Sequence, residues 1–281
     1  VEHPLLAHAV AEVLEGAAVP DEVSITLTIT SAVPPGASLG TSAAVVVAVL
    51  AALDALVATT AGKVRSSPEE LAGRAHRVET ARAGREAGVQ DQWAAAVGGC
   101  LDLAVAPYPS VRARSVLLSP EVESALAHRL VTVVFGAHDS SAVHQEVITA
   151  ITGCGGADHD RARGALRDLA ALAGRAATAL GEGDLHAWAV VLCEATEAQQ
   201  RLHPSLVGHA HRRAIAIGAA EGAVGWKVNG AGGDGGSLTL LAGPAPGAAA
   251  HLAATLGAAD PSWAVLRLGP GHGPRVVVLG D

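Results

Sequence analysis

The sequence predicts an α+β protein of two domains, on three observations. Apolar and β-branched stretches of strand length recur at residues 23–30 (VSITLTIT), 100–105, 111–118 and 130–135 (LVTVVF). Long Ala-rich stretches with helical spacing lie between and after them. Two glycine loops, residues 31–41 (SAVPPGASLGT) and 229–236 (NGAGGDGG), separate such segments. The 281 residues are enough for one large domain or two ordinary ones. A soft boundary falls near residues 120–128, giving domains 1–125 and 126–281.

Taken in order, residues 1–15 (VEHPLLAHAVAEVLE) place Leu5, Ala9 and Val13 on one helical face. A helical pattern at the very start, in a chain without Met, gives the expectation that sequence upstream is missing. Residues 23–30 alternate with period two, as a half-buried strand does, and lead into the first glycine loop. The apolar stretch 42–58 is too long for a strand and reads as a buried helix. Ser67, Pro68, Glu69 and Glu70 have capping-box spacing with Pro at the first helical position, opening a helix over 68–82 with Leu71, Ala75 and Val78 on one face. A short helix spans 89–97, strands follow at 100–105, 111–118 and 130–135, and long helices fill 158–180 and 184–200. Strands at 226–228 and 237–241 flank the second glycine loop, before a helix at 248–256 and strands near Ala264 and Val276.

Composition excludes several functions. Acidic residues outnumber basic ones 27 to 19, for a formal charge of -8, and six residues are aromatic, so neither phosphate-backbone binding nor base stacking is provided for. The longest apolar run, residues 43–53, is interrupted by Asp54 and is shorter than the ~20 residues a bilayer requires. Hence no nucleic acid and no membrane are expected as partners. Cys100, Cys154 and Cys193 are odd in number, widely spaced and form no CxxC pair, which argues against a disulfide framework or a structural zinc site. No signal peptide is visible, and a reducing cytoplasm is the corresponding expectation.

Three local signals carry chemistry. The small residues of the first loop, from Pro35 and Gly36 to Ser42 and Ala43, allow backbone amides to approach a phosphate, and the following helix adds the positive end of its dipole. No Lys follows the glycines, so this is not a Walker loop. Its plainer reading is a Pro/Gly turn capped by Thr41 or Ser42. The second loop packs five glycines into residues 230–236, which suits close backbone approach or a glycine-rich hairpin. Glu79 lies about 80° from Leu71 on the helix, towards the apolar side. A carboxylate there suits Mg²⁺, which takes one or two protein oxygens with phosphate and water; it also suits pairing with Arg77 or Arg82. Asp91 is placed either to cap its helix or to accept a proton from an attacking hydroxyl.

The loop with SLGTSAA, the segment GVQDQ (residues 88–92) and the stretch KVNGAGGDGG (residues 227–236) resemble, in this order, the GHMP kinases: galactokinase, homoserine kinase, mevalonate kinase and phosphomevalonate kinase. Within them, GVQDQWAAAVGG and FGAHDSSAVH (residues 135–144) look most like the kinases of heptose 7-phosphate and fucose. The resemblance covers most of the chain. It implies an incomplete N-terminal ATP-binding domain, a ferredoxin-like C-terminal sandwich and an active site between them. It also implies transfer of the γ-phosphate of ATP to a sugar or sugar-phosphate hydroxyl with Mg²⁺. By the same resemblance Pro35, Gly36, Ser38, Leu39, Gly40, Thr41, Ser42 and Ala43 form the phosphate loop, and Ser42 and Glu79 ligate the metal. Asp91 activates the substrate hydroxyl, while Gly230, Ala231, Gly232 and Gly233 support the closing loop. A homodimer stays open, as does a non-sugar alcohol as acceptor or a silent binding protein.

Three departures from that pattern stand out. Ser38 replaces the usual Gly and would be strained at φ > 0. Asp234 interrupts the glycine run and would bring negative charge to the phosphates if it faced inward. The family's first motif, a strand region with a basic residue, has no counterpart before Val1. Of the remaining polar residues, His209 and His211 are expected on the surface of a helix. His138, Asp139, Ser140, Ser141 and His144 read as a substrate-side loop without a nucleophile elbow, and Trp93 and Trp226 as packing residues.

Overall fold

Pro4 opens the first helix, α1 (Pro4–Leu14), and Leu5, Ala9 and Val13 form its buried stripe, as their spacing predicts. The structure is a computed structural model and describes residues 3–15, 17, 24–34, 36–62, 64–136, 140–153 and 155–277. Two compact units divide the chain: Val1–Ala32, Gly40–Ser115 and Gly271–Asp281 make the first, Val33–Leu39 and Val116–Pro270 the second.

The first unit is built on α2 (Thr41–Ala61), whose Val46, Val47, Leu50, Leu53 and Val57 are buried in its core. By length and apolarity, residues 41–60 would suffice to cross a bilayer despite Asp54, which the uninterrupted-run argument overlooked. Half of that stretch is buried by protein, and Asp54 pairs with Arg74 at 2.6 Å, the pattern of a core helix. Ser67 and Glu70 close the expected capping box on α3 (Pro68–Arg77). The helix then continues through a π-helical turn at Val78–Arg82. Glu12 of α1 accepts from Arg77 at 3.1 Å and from Arg82 at 2.7 Å, tying that turn to α1. After α4 (Gln90–Val97), β1 (Cys100–Val105) and β2 (Val111–Val116) form a two-stranded sheet.

The second unit runs α5 (Pro120–Arg129), β3 (Leu130–Gly136), α6 (Ser140–Thr152), α7 (Ala157–Gly181), α8 (Leu185–Leu202), a 3-10 turn (Pro204–Leu206), α9 (His209–Ala220), β4 (Ala223–Val228), β5 (Gly236–Ala242), α10 (Ala248–Ala259) and β6 (Ala264–Leu266). Its antiparallel sheet has the order β4-β5-β3-β6. Strand, helices, hairpin, helix and strand in this order make the split ferredoxin-like arrangement. Val131 and Val133 of β3 and Leu238 and Leu240 of β5 bury one face against Leu252 and Leu256 of α10. On the other face the hydroxyls of Thr132 and Thr239 meet at 3.0 Å, the alternation a pleated strand imposes.

Several expectations are corrected. Residues 24–30 keep the alternation, with Ile25 and Leu27 packed on the first core, but form no strand. A strand needs a hydrogen-bonding partner as well as a pattern, and among the described residues this segment has none. Residues near Val276 likewise form no strand. The supposed loop at 135–144 becomes helix from Ser140, while His138 and Asp139 lie outside the described residues, as do Pro35 and Cys154. His209 is exposed but His211 is fully buried, edge-on to Phe135 at 4.8 Å. Two residues apart on a helix are about 200° apart, so exposing one turns the other inward.

Candidate active site

In the first unit the candidate residues gather where α2, the π-helical turn and α4 begin or end. Gly40, at φ 66°, is the N-cap of α2, and neither Thr41 nor Ser42 caps the helix by its side chain. The plain capped-turn reading is therefore replaced: Thr41, Ser42 and Ala43 form the first turn, with amides that have no intrahelical partner. Ser42 is exposed and Ala43 buried. A side chain at Gly40 would press on Cβ and Cγ of Asp91 at 3.3 Å, so the loop backbone lies directly on this acid.

Glu79 is 3 % exposed. Its expected arginine partners are engaged elsewhere, since Arg77 and Arg82 both bind Glu12. Gln92 donates its amide to Glu79 instead, in a short hydrogen bond. The other end of that amide, Oε1 of Gln92, is buried without a donor among the described residues. Asp91 stands in the first turn of α4, where the helix dipole favours an acid, but it does not cap the helix, whose N-cap is Val89. It keeps an exposed surface, yet the protein packed around its carboxyl raises its pKa, and the negative charge of Glu79 adds to that rise.

This donor set suits a hard divalent cation. Glu79 offers a buried carboxylate with only a neutral partner, and Gln92 Oε1 is a buried acceptor without a donor among the described residues. Among the described residues no cluster of three His, Cys, Asp or Glu stands ready to enclose a metal, so phosphate and water must complete the shell, as is usual for Mg²⁺. Ser42 makes no hydrogen bond to Glu79.

In the second unit the loop Val33–Leu39 meets the glycine loop after β4. Ser38 has φ 53°, the one non-Gly residue in the left-handed region among those described, so the strain anticipated from its sequence is present. Its Cβ would stand 3.2 Å from a side chain at Gly230. Leu39 is half-buried and Gly36 exposed. Gly232 and Gly233 are buried by packing: a Cβ on Gly232 would collide with the Leu206 carbonyl, and Gly233 O crowds Gly208. Ala231 is half-buried. Asp234 is exposed and lies against Gly208, the N-cap of α9, where a helix dipole favours negative charge.

Sequence reasoning missed Gln92, Gln199 and the polar contacts of Lys227. Lys227 donates to Gln199 Oε1 and to Val228 O, both at 2.6 Å, and Gln199 Nε2 donates to Gly230 O at 3.1 Å. Trp93 and Trp226 pack against the two cores, in keeping with their reading. A cavity of about 650 Å³ in the second unit is lined by Glu146, Arg161, His203 and neighbours and includes none of the candidate residues.

Residues 5–99 match the family model of the GHMP kinases N terminal domain. The chain carries a GHMP kinase N-terminal domain. Its fold is that of GHMP kinases of known structure. It superposes on a D-glycero-D-manno-heptose 1-phosphate kinase from Bacteroides thetaiotaomicron with TM-score 0.70 at 19% identity, covering 97% of this chain and 73% of that one. The mevalonate kinase of L. major, solved with R-mevalonate, gives TM-score 0.62 at 16% identity over 83% of this chain and 66% of its own. Homoserine kinase from Cytophaga hutchinsonii gives TM-score 0.57 at 16% identity over 88% of this chain and 70% of its own. At such identities the likeness is one of fold, and the acceptors named differ among these GHMP kinases. A search of the curated proteins finds no match.

Proposed function

We propose that this chain is an ATP-dependent small-molecule kinase that transfers the γ-phosphate to a hydroxyl of a sugar or sugar phosphate, with Mg²⁺. The observation that carries this reading is the pairing of an accessible, raised-pKa Asp91 with a buried Glu79, beneath the glycine N-cap of α2. Phosphoryl transfer asks a protein mainly for positioning and charge neutralisation. Asp91 orients the acceptor hydroxyl and receives its proton; burial and Glu79 bring its pKa nearer to that task. Glycine at position 40 leaves room for the Asp91 side chain, which a Cβ there would press at 3.3 Å. The uncapped amides of Thr41, Ser42 and Ala43 bind phosphate oxygens.

Glu79 and the Ser42 hydroxyl would hold Mg²⁺, with Gln92 fixing the Glu79 carboxylate. The ion, when bound, offsets negative charge on the transferred group. Gly36, Ser38, Leu39 and Gly230 to Gly233, in the second unit, are the further nucleotide-binding residues of this reading. A second reading, a silent binding protein, draws on Ser38, whose side chain narrows the space beside Gly230.

The test is Mg²⁺-dependent ADP release by the purified chain across heptose phosphates, hexoses, mevalonate and homoserine. Stimulation by a sugar or sugar phosphate supports the reading. Stimulation only by mevalonate or homoserine overturns the sugar assignment, and no stimulation of a folded chain overturns the kinase.

A further inference from the structure

Lys227 is one of only two lysines in a chain with 19 basic residues, the other being Lys63. Its ammonium is enclosed next to the second glycine loop, and no carboxylate lies within salt-bridge distance of it among the described residues. Both of its hydrogen-bond partners are neutral oxygens, Gln199 Oε1 and Val228 O. Burying a cation on these terms costs stability.

The chemistry of these groups fixes the direction of the network. An ammonium has donors only, so it obliges Gln199 to turn its oxygen towards Lys227 and its NH₂ away. A carbonyl accepts only, and the NH₂ meets Gly230 O at 3.1 Å. The amide of Gln199 therefore has one orientation that satisfies both ends. Because a trans peptide points its C=O and the next N–H in opposite directions, holding Gly230 O against α8 turns the Ala231 N–H away from α8. That N–H has no partner among the described residues. Gly230 in turn abuts Ser38 of the first loop.

We infer that Lys227 and Gln199 are positioning residues for nucleotide phosphate: the ammonium sets the Gln199 amide, which pins Gly230 and presents the free Ala231 amide and adjoining Ser38 loop to the phosphate chain. This rests on the kinase reading. Burial lowers the Lys227 pKa, as expected for an ammonium whose hydrogen-bond partners are neutral oxygens.

The test measures Mg²⁺-ATP affinity by calorimetry on the full chain and on K227M, Q199L, Q199E and the K227M/Q199L pair, with melting temperature alongside. Losing a charge-linked hydrogen bond should weaken ATP binding about tenfold or more in each single variant. The double variant should bind within about threefold of the weaker single one, because both act through Gly230. Q199E is the discriminating case. It gives Lys227 a carboxylate partner but faces Gly230 O with an acceptor, so it should melt no lower than the parent and yet bind ATP more weakly. A purely structural pair would move stability and affinity together, and that result, or parent-like affinity in Q199E and K227M, overturns the relay. If the parent itself does not bind Mg²⁺-ATP, the kinase reading fails and the relay with it.

Discussion

Lys227 should make the protein more stable as the solution becomes alkaline, against the usual trend. Burial lowers its pKa from the ordinary 10.5 to about 8. Below pH 8 both folded and unfolded chains hold the proton, and above 10.5 neither does. Between these values the unfolded chain binds more protons, so stability rises with pH across that window. A difference of about 2.5 pH units at 1.36 kcal/mol each corresponds to roughly 3 kcal/mol, an upper figure because part of the residue meets solvent. Urea unfolding of the parent and of Lys227→Met at pH 7.5, 8.5, 9.5 and 10.5 isolates this contribution, since every other ionising group cancels in the comparison. The parent should gain about 1–3 kcal/mol on the variant across the series. With only two lysines, ¹³C-lysine NMR reads the two titrations directly, and Lys63→Arg assigns them. Two lysines titrating together near 10.5, with parallel stability curves, would refute the reasoning.

Other expected outcomes follow from single positions. Gly40→Ala meets both a φ of 66° and the Asp91 carboxyl at 3.3 Å; it should lose about 1–2 kcal/mol of stability, read by urea melts, and lower kcat more than it raises the KM for ATP. Ser38→Gly relieves left-handed strain of ~1–2 kcal/mol against ~0.4–1 kcal/mol of added unfolded-chain entropy, so it should melt about 1–3 °C higher, and a lower melting temperature would contradict the strain. Glu79→Gln and Ser42→Ala should each raise the Mg²⁺ concentration needed for half-maximal turnover, and unchanged magnesium dependence in both would move the metal elsewhere.

Much of the fold is legible in local pattern. The capping box at Ser67 and the Leu5, Ala9, Val13 stripe arise from nearest neighbours on one helix, so sequence spacing states them directly. Where a partner distant in sequence decides, spacing is silent. Residues 24–30 alternate correctly, but no ladder forms on them. The π-helical turn at 78–82 adds one residue to a turn without disturbing the apolar pattern enough to be seen. The same limit applies to the candidate site. Glu79 is placed on the buried side by helix geometry, while its release from Arg77 and Arg82 depends on Glu12, 67 residues away in the chain from Glu79 and on another helix. Gln92 and Gln199 are ordinary amides in sequence, and only their buried partners distinguish them. Ser38 was different: a side chain where glycine is usual announced the positive φ that the backbone adopts.

The central claim, that Asp91 handles the proton of a phosphorylated hydroxyl, is tested most directly by Asp91→Asn. Using whichever acceptor stimulates ADP release, transfer of labelled γ-phosphate should fall by about 10²–10⁴-fold, with ATP affinity and melting temperature close to those of the parent. Transfer at the parent rate by the folded variant would contradict the account.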